Sequence, residues 1–230
     1  MAFHHSPRIV TGTTFFMDVT NKKCYPGSGT TLTDMSNDKT ITLTGGPTIQ
    51  TVNATKVIDL DGTNDRIVIT DPTYPSVNFS VEHWQKFKTL NGASNTVQYM
   101  WQMGPLSNGN GGTLVQAKFD SDHNSFANRL YYHWGGSYTN TNVTVTDLNW
   151  HQYMTTVSGT SVKLYIDGIF QETLTAPSNI SPSGTYEMGR YIDGNSHYNT
   201  SQIAINKFYD RTLTDAEVLQ NYNAMKVRFE

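Results

Sequence analysis

The stretch from Asn149 to Thr175, NWHQYMTTVSGTSVKLYIDGIFQETLT, constrains the fold more than any other part of the chain. It holds three short β-type runs and two compact turns. Trp150 to Val157 is the first run, and Ser158-Gly159-Thr160-Ser161 is a turn. Val162, Leu164 and Ile166 then alternate with Lys163 and Tyr165, the period of a strand with one buried face. Asp167-Gly168 fits a two-residue hairpin, because both central residues of a type I′ turn need positive φ. Ile169 to Leu174 returns antiparallel, and a regular register sets Lys163 opposite Glu172. This is the grammar of a β-meander.

The composition agrees. Charged residues make up 15% of the 230 residues, against about 25% in average proteins. Thr, Asn, Ser and Gly take their place, which suits strands and turns. The length suits one all-β domain, read here as residues 9–230 behind an N-terminal arm of residues 1–8. The net charge of -3 and the lack of a Lys/Arg run exclude a nucleic-acid surface. No apolar run approaches the ~20 residues of a membrane span, so no membrane partner is expected. The opening MAFHHSPRIVTG carries no secretory pattern, and folding in a cytoplasm is the expectation. The single cysteine, Cys24, rules out an intrachain disulfide and reads as a small buried hydrophobe.

Other runs extend the pattern. Residues 9–19, 41–43, 57–60, 66–69, 79–88, 114–119, 129–134, 186–190 and 203–209 read as strands. In Val97 to Met103, alternation places Val97, Tyr99, Trp101 and Met103 on one face. The one convincing helix is terminal. Thr214-Asp215-Ala216-Glu217 matches a capping box, and Val218, Leu219, Tyr222 and Met225 form its apolar face. Lys226 and Arg228 suit its negative end, and the helix is expected to dock on a sheet edge. Many short strands at near-regular spacing indicate a sandwich or jelly roll.

Separated pieces point to one family. They are Tyr25 to Ser36 (YPGSGTTLTDMS), Leu60 to Asp65 (LDGTND), Asn149 to Tyr153 (NWHQY), Val162 to Gly168 (VKLYIDG), Met188 to Tyr191 (MGRY) and Ile203 to Val218. In this order the chain resembles the concanavalin A-like, laminin-G-like jelly-roll domains. The resemblance implies an all-β, two-sheet antiparallel jelly-roll sandwich with a short C-terminal helix. Tyr25 to Ser36 and Glu217 to Phe229 are similar to the versions found in tailed-bacteriophage structural proteins. That likeness implies a non-catalytic virion protein, either a surface-displayed capsid decoration or a fibre component. Its location would be the virion surface after folding in the host cytoplasm. Its partners would be other virion proteins, the major capsid protein or sister subunits, together with cell-surface glycans. The alternatives are a carbohydrate-binding lectin module and a glycan hydrolase. Hydrolases of this family carry a Glu-x-Asp-x-Glu strand, which is absent here, and the five Glu residues are scattered; no catalytic residue is assigned.

Two kinds of site remain. Laminin-G-like domains often hold Ca²⁺, which takes six to eight oxygen ligands. Asp61, Asn64 and Asp65 offer side chains, and the competing reading is Asx-turn hydrogen bonding. The family's further acidic ligand is missing at Ile203-Ala204-Ile205-Asn206. Asp120, Asp122 and Asn124 form a weaker oxygen cluster, and the adjacent His4 and His5 lack zinc spacing. Glycans are held by aromatic stacking and by amide or carboxylate hydrogen bonds. The candidates are Tyr131, Tyr132, His133, Trp134 and Tyr138 in one segment, with Trp134 and Tyr138 foremost because a polar loop follows, and Tyr191, Asp193, Asn195, His197 and Tyr198 in another. Trp84, Trp101 and Trp150 read as core.

Overall fold

The computed structural model describes residues 11–70, 72–74, 77–90, 97–104, 114–119, 127–134, 137–178, 180, 184–191 and 197–230. The expected arm, His4 and His5, the 105–112 loop and the Asp120–Asn124 cluster lie outside them. The strands are β1 (Thr13–Asp18), β2 (Thr31–Thr33), β3 (Thr40–Thr44), β4 (Thr48–Val52), β5 (Thr55–Asp61) and β6 (Arg66–Ile69). Next come β7 (Asn78–Phe87), β8 (Val97–Met103), β9 (Leu114–Phe119), β10 (Arg129–Trp134) and β11 (Ser137–Thr144). The chain continues through β12 (His151–Ser158), β13 (Ser161–Ile166), β14 (Ile169–Thr175), β15 (Tyr186–Met188) and β16 (Thr200–Tyr209). Helix α1 (Asp215–Met225) and a 3-10 turn (Lys226–Arg228) end it.

The strands form two antiparallel sheets. The first runs β14-β13-β12-β7-β16-β5-β4, with β1 pairing the C-terminal half of β16. The second runs β11-β10-β9-β8-β15-β6-β3-β2. Inward side chains of both sheets make one apolar interior, including Phe15, Phe79, Val81, Trp101, Tyr132, Tyr153 and Phe208. Two side-chain bonds cross it: Tyr132 Oη to Thr155 Oγ1 at 2.6 Å and Tyr186 Oη to Asn206 Oδ1 at 3.1 Å. Buried hydroxyls satisfied in this way fix how the two sheets register. Cys24 is fully buried, and desolvation pushes its thiol pKa up to about 12.

Two bulges correct the expected registers. The Asp167-Gly168 turn has the predicted positive φ at both residues, 53° and 77°. Beyond it, however, the pairing shifts between Leu164 and Tyr165, so Gln171 is the extra residue. Lys163 therefore faces Thr173, and Leu164 faces Glu172. Glu172 instead accepts from the Asn142 backbone N–H at 2.7 Å, tying the edges of the two sheets together. In β8 a shift between Tyr99 and Trp101 breaks the alternation. Trp101 and Met103 point into the sandwich, while Val97 and Tyr99 belong to an outer cluster.

Helix α1 starts with the expected capping box: Thr214 accepts from the Glu217 N–H, and Glu217 accepts from the Thr214 N–H. It docks on the outer face of the first sheet rather than on an edge. Val218 packs with Met154, Tyr165 and Tyr209, and Met225 packs with Val57, Trp84 and Ile205. The buried stripe is Val218, Asn221 and Met225. Leu219 falls outside that stripe and is 44% exposed.

Asn221 is buried because it meets Glu82. This carboxylate is fully buried and accepts from Trp84 Nε1 (2.9 Å), Gln152 Nε2 (3.0 Å), Lys207 Nζ (3.1 Å), Tyr209 Oη (2.7 Å) and Asn221 Nδ2 (3.4 Å). Burial alone would raise its pKa; the Lys207 charge and the donated hydrogen bonds lower it instead. Removing one member of a buried pair strands the other charge. Glu82→Ala is expected to destabilise the fold by about 3–5 kcal/mol, read as a lower denaturant midpoint. A loss within experimental error would show that Lys207 finds another partner.

His151 ties the hairpin to β12. Its Nδ1 lies 2.7 Å from Asp167 Oδ2 and its Nε2 lies 3.0 Å from Asp147 Oδ1. Burial alone would lower the imidazole pKa, but the hydrogen bonds and charges of Asp167 and Asp147 raise it. Because the folded pKa exceeds the unfolded value of about 6.5, this clamp stabilises fully below that value. The contribution disappears as pH rises through the folded pKa. His151→Gln should therefore cost more stability at about pH 5.5 than at about pH 8.5. Urea titrations of both proteins at the two pH values check this, and a pH-independent cost would refute it.

Candidate functional site

The Asp61–Asp65 turn joins β5 to β6 and satisfies itself. Asp61 Oδ1 accepts from the Thr63 N–H at 2.7 Å, an Asx turn. Asp65 Oδ2 accepts from the Asp61 N–H at 2.9 Å. Asp65 is 3% exposed and its pKa is raised, first by desolvation, whereas Asp61 and Asn64 are exposed. The turn between β3 and β4 presses on this one. Gly45 has φ 98°, and a Cβ there would sit 2.1 Å from the Asn64 carbonyl oxygen. No group of three or more His, Cys, Asp or Glu side chains converges on a metal position among the described residues.

The aromatic candidates separate by strand parity. Trp134 points inward, 2% exposed, and stacks on Tyr132 at 5.8 Å. It lies in the core and is not placed to meet a ligand. Tyr138 is across the β10–β11 hairpin from His133 and points outward, 60% exposed. Its ring stacks on His133 at 4.4 Å and 12°, and lies 5.8 Å from Tyr131. Tyr131 meets Tyr99 at 6.4 Å, and Tyr99 meets Tyr191 at 4.8 Å and His197 at 6.1 Å. Offset and edge contacts at such spacings are favourable for aromatic pairs. The result is a two-layer cluster on the outer face of the second sheet. Tyr99 and Tyr131 are buried against the strands, and Tyr138, Tyr191 and His197 lie over them.

The structure thus joins Tyr138 of one candidate segment to Tyr191 and His197 of the other. Tyr198 is also nearby but 7% exposed, and Asp193 and Asn195 lie outside the described residues. The segment is anchored to β8, because Asn199 Nδ2 donates to the Tyr99 carbonyl at 3.2 Å. Sequence reasoning missed the floor residue Tyr99. Tyr131 and His133 were among the aromatic candidates, and they alternate with the inward Tyr132 and Trp134.

The cluster carries little charge. Burial lowers the pKa of His133 and of His197, favouring the neutral imidazoles, and raises those of Tyr99 and Tyr131. Further along the same face, Arg190 Nε donates to Glu187 Oε2 at 2.8 Å beside buried Gln102. An exposed ring on a rigid aromatic base, flanked by imidazoles and phenols, can stack on the C–H face of a sugar and exchange hydrogen bonds with its hydroxyls.

Comparisons with known proteins agree with this architecture. The family model for the concanavalin A-like lectin/glucanases superfamily, of laminin-G type, matches residues 61–219, and the chain belongs to that family. Domain 4 of AbnA, a GH43 extracellular arabinanase from Geobacillus stearothermophilus solved with arabinotriose, superposes with a TM-score of 0.67 at 16% identity. The match covers 92% of this chain and 98% of that one. The binding domain of Paraclostridial Mosquitocidal Protein 1 gives 0.69 at 17% identity, over 93% of this chain and 52% of that one. The binding domain of botulinum neurotoxin DC in complex with SialylT gives 0.67 at 12%, over 93% and 51%. This chain spans about half the length of those toxin domains. At such identities the likeness establishes the fold alone, a concanavalin A-like sandwich. No curated protein sequence matches.

Proposed function

We propose that this chain is a non-catalytic glycan-binding module displayed on a virion surface. The observation that carries the binding part is Tyr138: a ring 60% exposed, yet stacked at 4.4 Å on His133. An exposed aromatic side chain held rigid gives up little conformational entropy on binding, which favours a ligand that stacks. The AbnA and neurotoxin domains, solved with arabinotriose and SialylT, support a sugar as that ligand. The display part rests on the resemblance of Tyr25 to Ser36 and Glu217 to Phe229 to tailed-phage structural proteins. On a particle the module would be a capsid decoration or a fibre component, contacting the major capsid protein or sister subunits. Many copies convert weak sugar contacts into useful adhesion.

A ligand that binds only the folded state raises its stability by mass action. Tyr138→Ala is therefore expected to reduce the melting-temperature rise produced by a bound oligosaccharide, and Tyr138→Phe to retain it. A rise left undiminished by Tyr138→Ala would remove this face from consideration.

The display reading is checked separately, by counting copies of this chain against the major capsid protein in purified particles by quantitative mass spectrometry. A ratio near unity is expected for a decoration and a few copies for a fibre. Absence from particles would overturn display on a virion.

A further inference from the structure

A second feature lies on the other sheet, away from the Tyr138 face. A cleft of about 390 Å³ opens beside the C-terminal turn, lined by Val52, Asn53, Lys86, Asn149, Trp150, Phe229 and Glu230. Its volume falls in the range of about 300–1,000 Å³ typical of small-molecule sites.

The floor is aromatic and rigid. Phe229 stacks on the buried Trp84 at 4.3 Å and 15°, and Trp150 packs on Phe229 at 5.0 Å. The half-buried Trp150 is thus fixed from below by two further rings. Arg228 keeps the terminal turn in place through a two-bond pair with Asp18, at 2.8 and 2.9 Å, and its carbonyl accepts from Thr55 Oγ1 at 3.0 Å. The β4–β5 hairpin and the end of the chain are consequently held together across the cleft.

The walls are polar and come from separate elements. Asn53 sits at the exposed β4–β5 turn with φ 48°. Asn149 precedes β12. Lys86 is on the outward face of β7, and the pairing of His151 with Gln85 sets Trp150 beside it. The Lys86 ammonium makes no hydrogen bond or ion pair among the described residues, unlike its neighbour Lys88, which is bound to Asp59 at 2.9 Å. A half-buried cation without a partner, at the wall of a cleft with a tryptophan floor, is a donor awaiting an acceptor.

We infer that this cleft is a second carbohydrate subsite, taking one hydroxyl-rich sugar ring. The C–H face of the ring lies on Trp150, the Lys86 ammonium donates to ring or hydroxyl oxygens, and the Asn53 amide both donates and accepts. The site is on the opposite sheet from Tyr138, so a single chain engages two glycan strands at once.

The test uses the full chain, the single variants Tyr138→Ala, Lys86→Ala and Asn53→Ala, and two double variants that add Lys86→Ala or Asn53→Ala to Tyr138→Ala. Both Lys86 and Asn53 are at the surface, so their variants should keep the fold. Arabinotriose and sialyllactose serve as probes, read by ligand-observed NMR and by Trp fluorescence. In the Tyr138→Ala background, residual sugar binding with a Trp fluorescence change is expected, and Lys86→Ala or Asn53→Ala should weaken it about tenfold. Binding abolished by Tyr138→Ala and untouched by Lys86→Ala and Asn53→Ala would overturn the second subsite and leave the first intact. Binding abolished by Lys86→Ala alone would support the cleft and overturn the Tyr138 face. No binding of either probe to any of the six proteins would overturn both.

Discussion

One buried carboxylate organises the back of this molecule. Glu82 draws donors from its own strand, from β12, from β16 and from α1. A buried ion pair is weak evidence for stability, since well-packed apolar residues often do as well. What Glu82 adds is registration. Tyr209, Lys207 and Asn221 reach one point only if β16 and the helix sit at one position on β7. The cation of Lys207 also lies 4.8 Å from the Phe16 ring, which brings β1 into the same arrangement. With the helix seated there, Phe229 reaches Trp84, and the cleft over Trp150 follows from that contact.

The helix also decides which sheet faces are available. It covers much of the outer face of the first sheet, leaving the cleft at its end. Among the described residues no helix crosses the second sheet. Its outer face carries Tyr99, Tyr131, His133 and Gln102, covered in part by the segment around Tyr191 and His197. Of the rings in this cluster only Tyr138 stays largely exposed, at 60%, held by its stacking on His133.

Much of the fold was legible in the sequence because the turns are chemically explicit. Asp167-Gly168, the Thr214–Glu217 capping box and the Asp61 Asx turn read the same way in sequence and structure. The failures of strand register share one physical cause. Alternation assigns faces correctly only until a bulge inserts a residue. The β8 bulge separates Tyr99 from Trp101, and Gln171 separates Lys163 from Glu172, with no Gly or Pro to announce either one. The site was legible in the same partial way. Tyr138, Tyr191 and His197 stood out because polar loops flank them, yet only tertiary pairing could bring them together. Trp134 was included by proximity in sequence to Tyr138, although a parity count from Tyr131 already places it inward.

The distribution of carboxylates bears on binding versus hydrolysis. Hydrolysing a glycosidic bond needs two carboxyl groups facing each other, about 5–9.5 Å apart. Across the eight strands of the second sheet the sequence supplies one carboxylate, Glu187. Its two oxygens are engaged by Arg190 at 2.8 and 3.4 Å. No second carboxylate on these strands faces it. The strands beneath the aromatic face therefore lack the facing carboxylate pair that would cleave a sugar, while the exposed Tyr138 ring on its His133 base keeps the geometry for stacking on one.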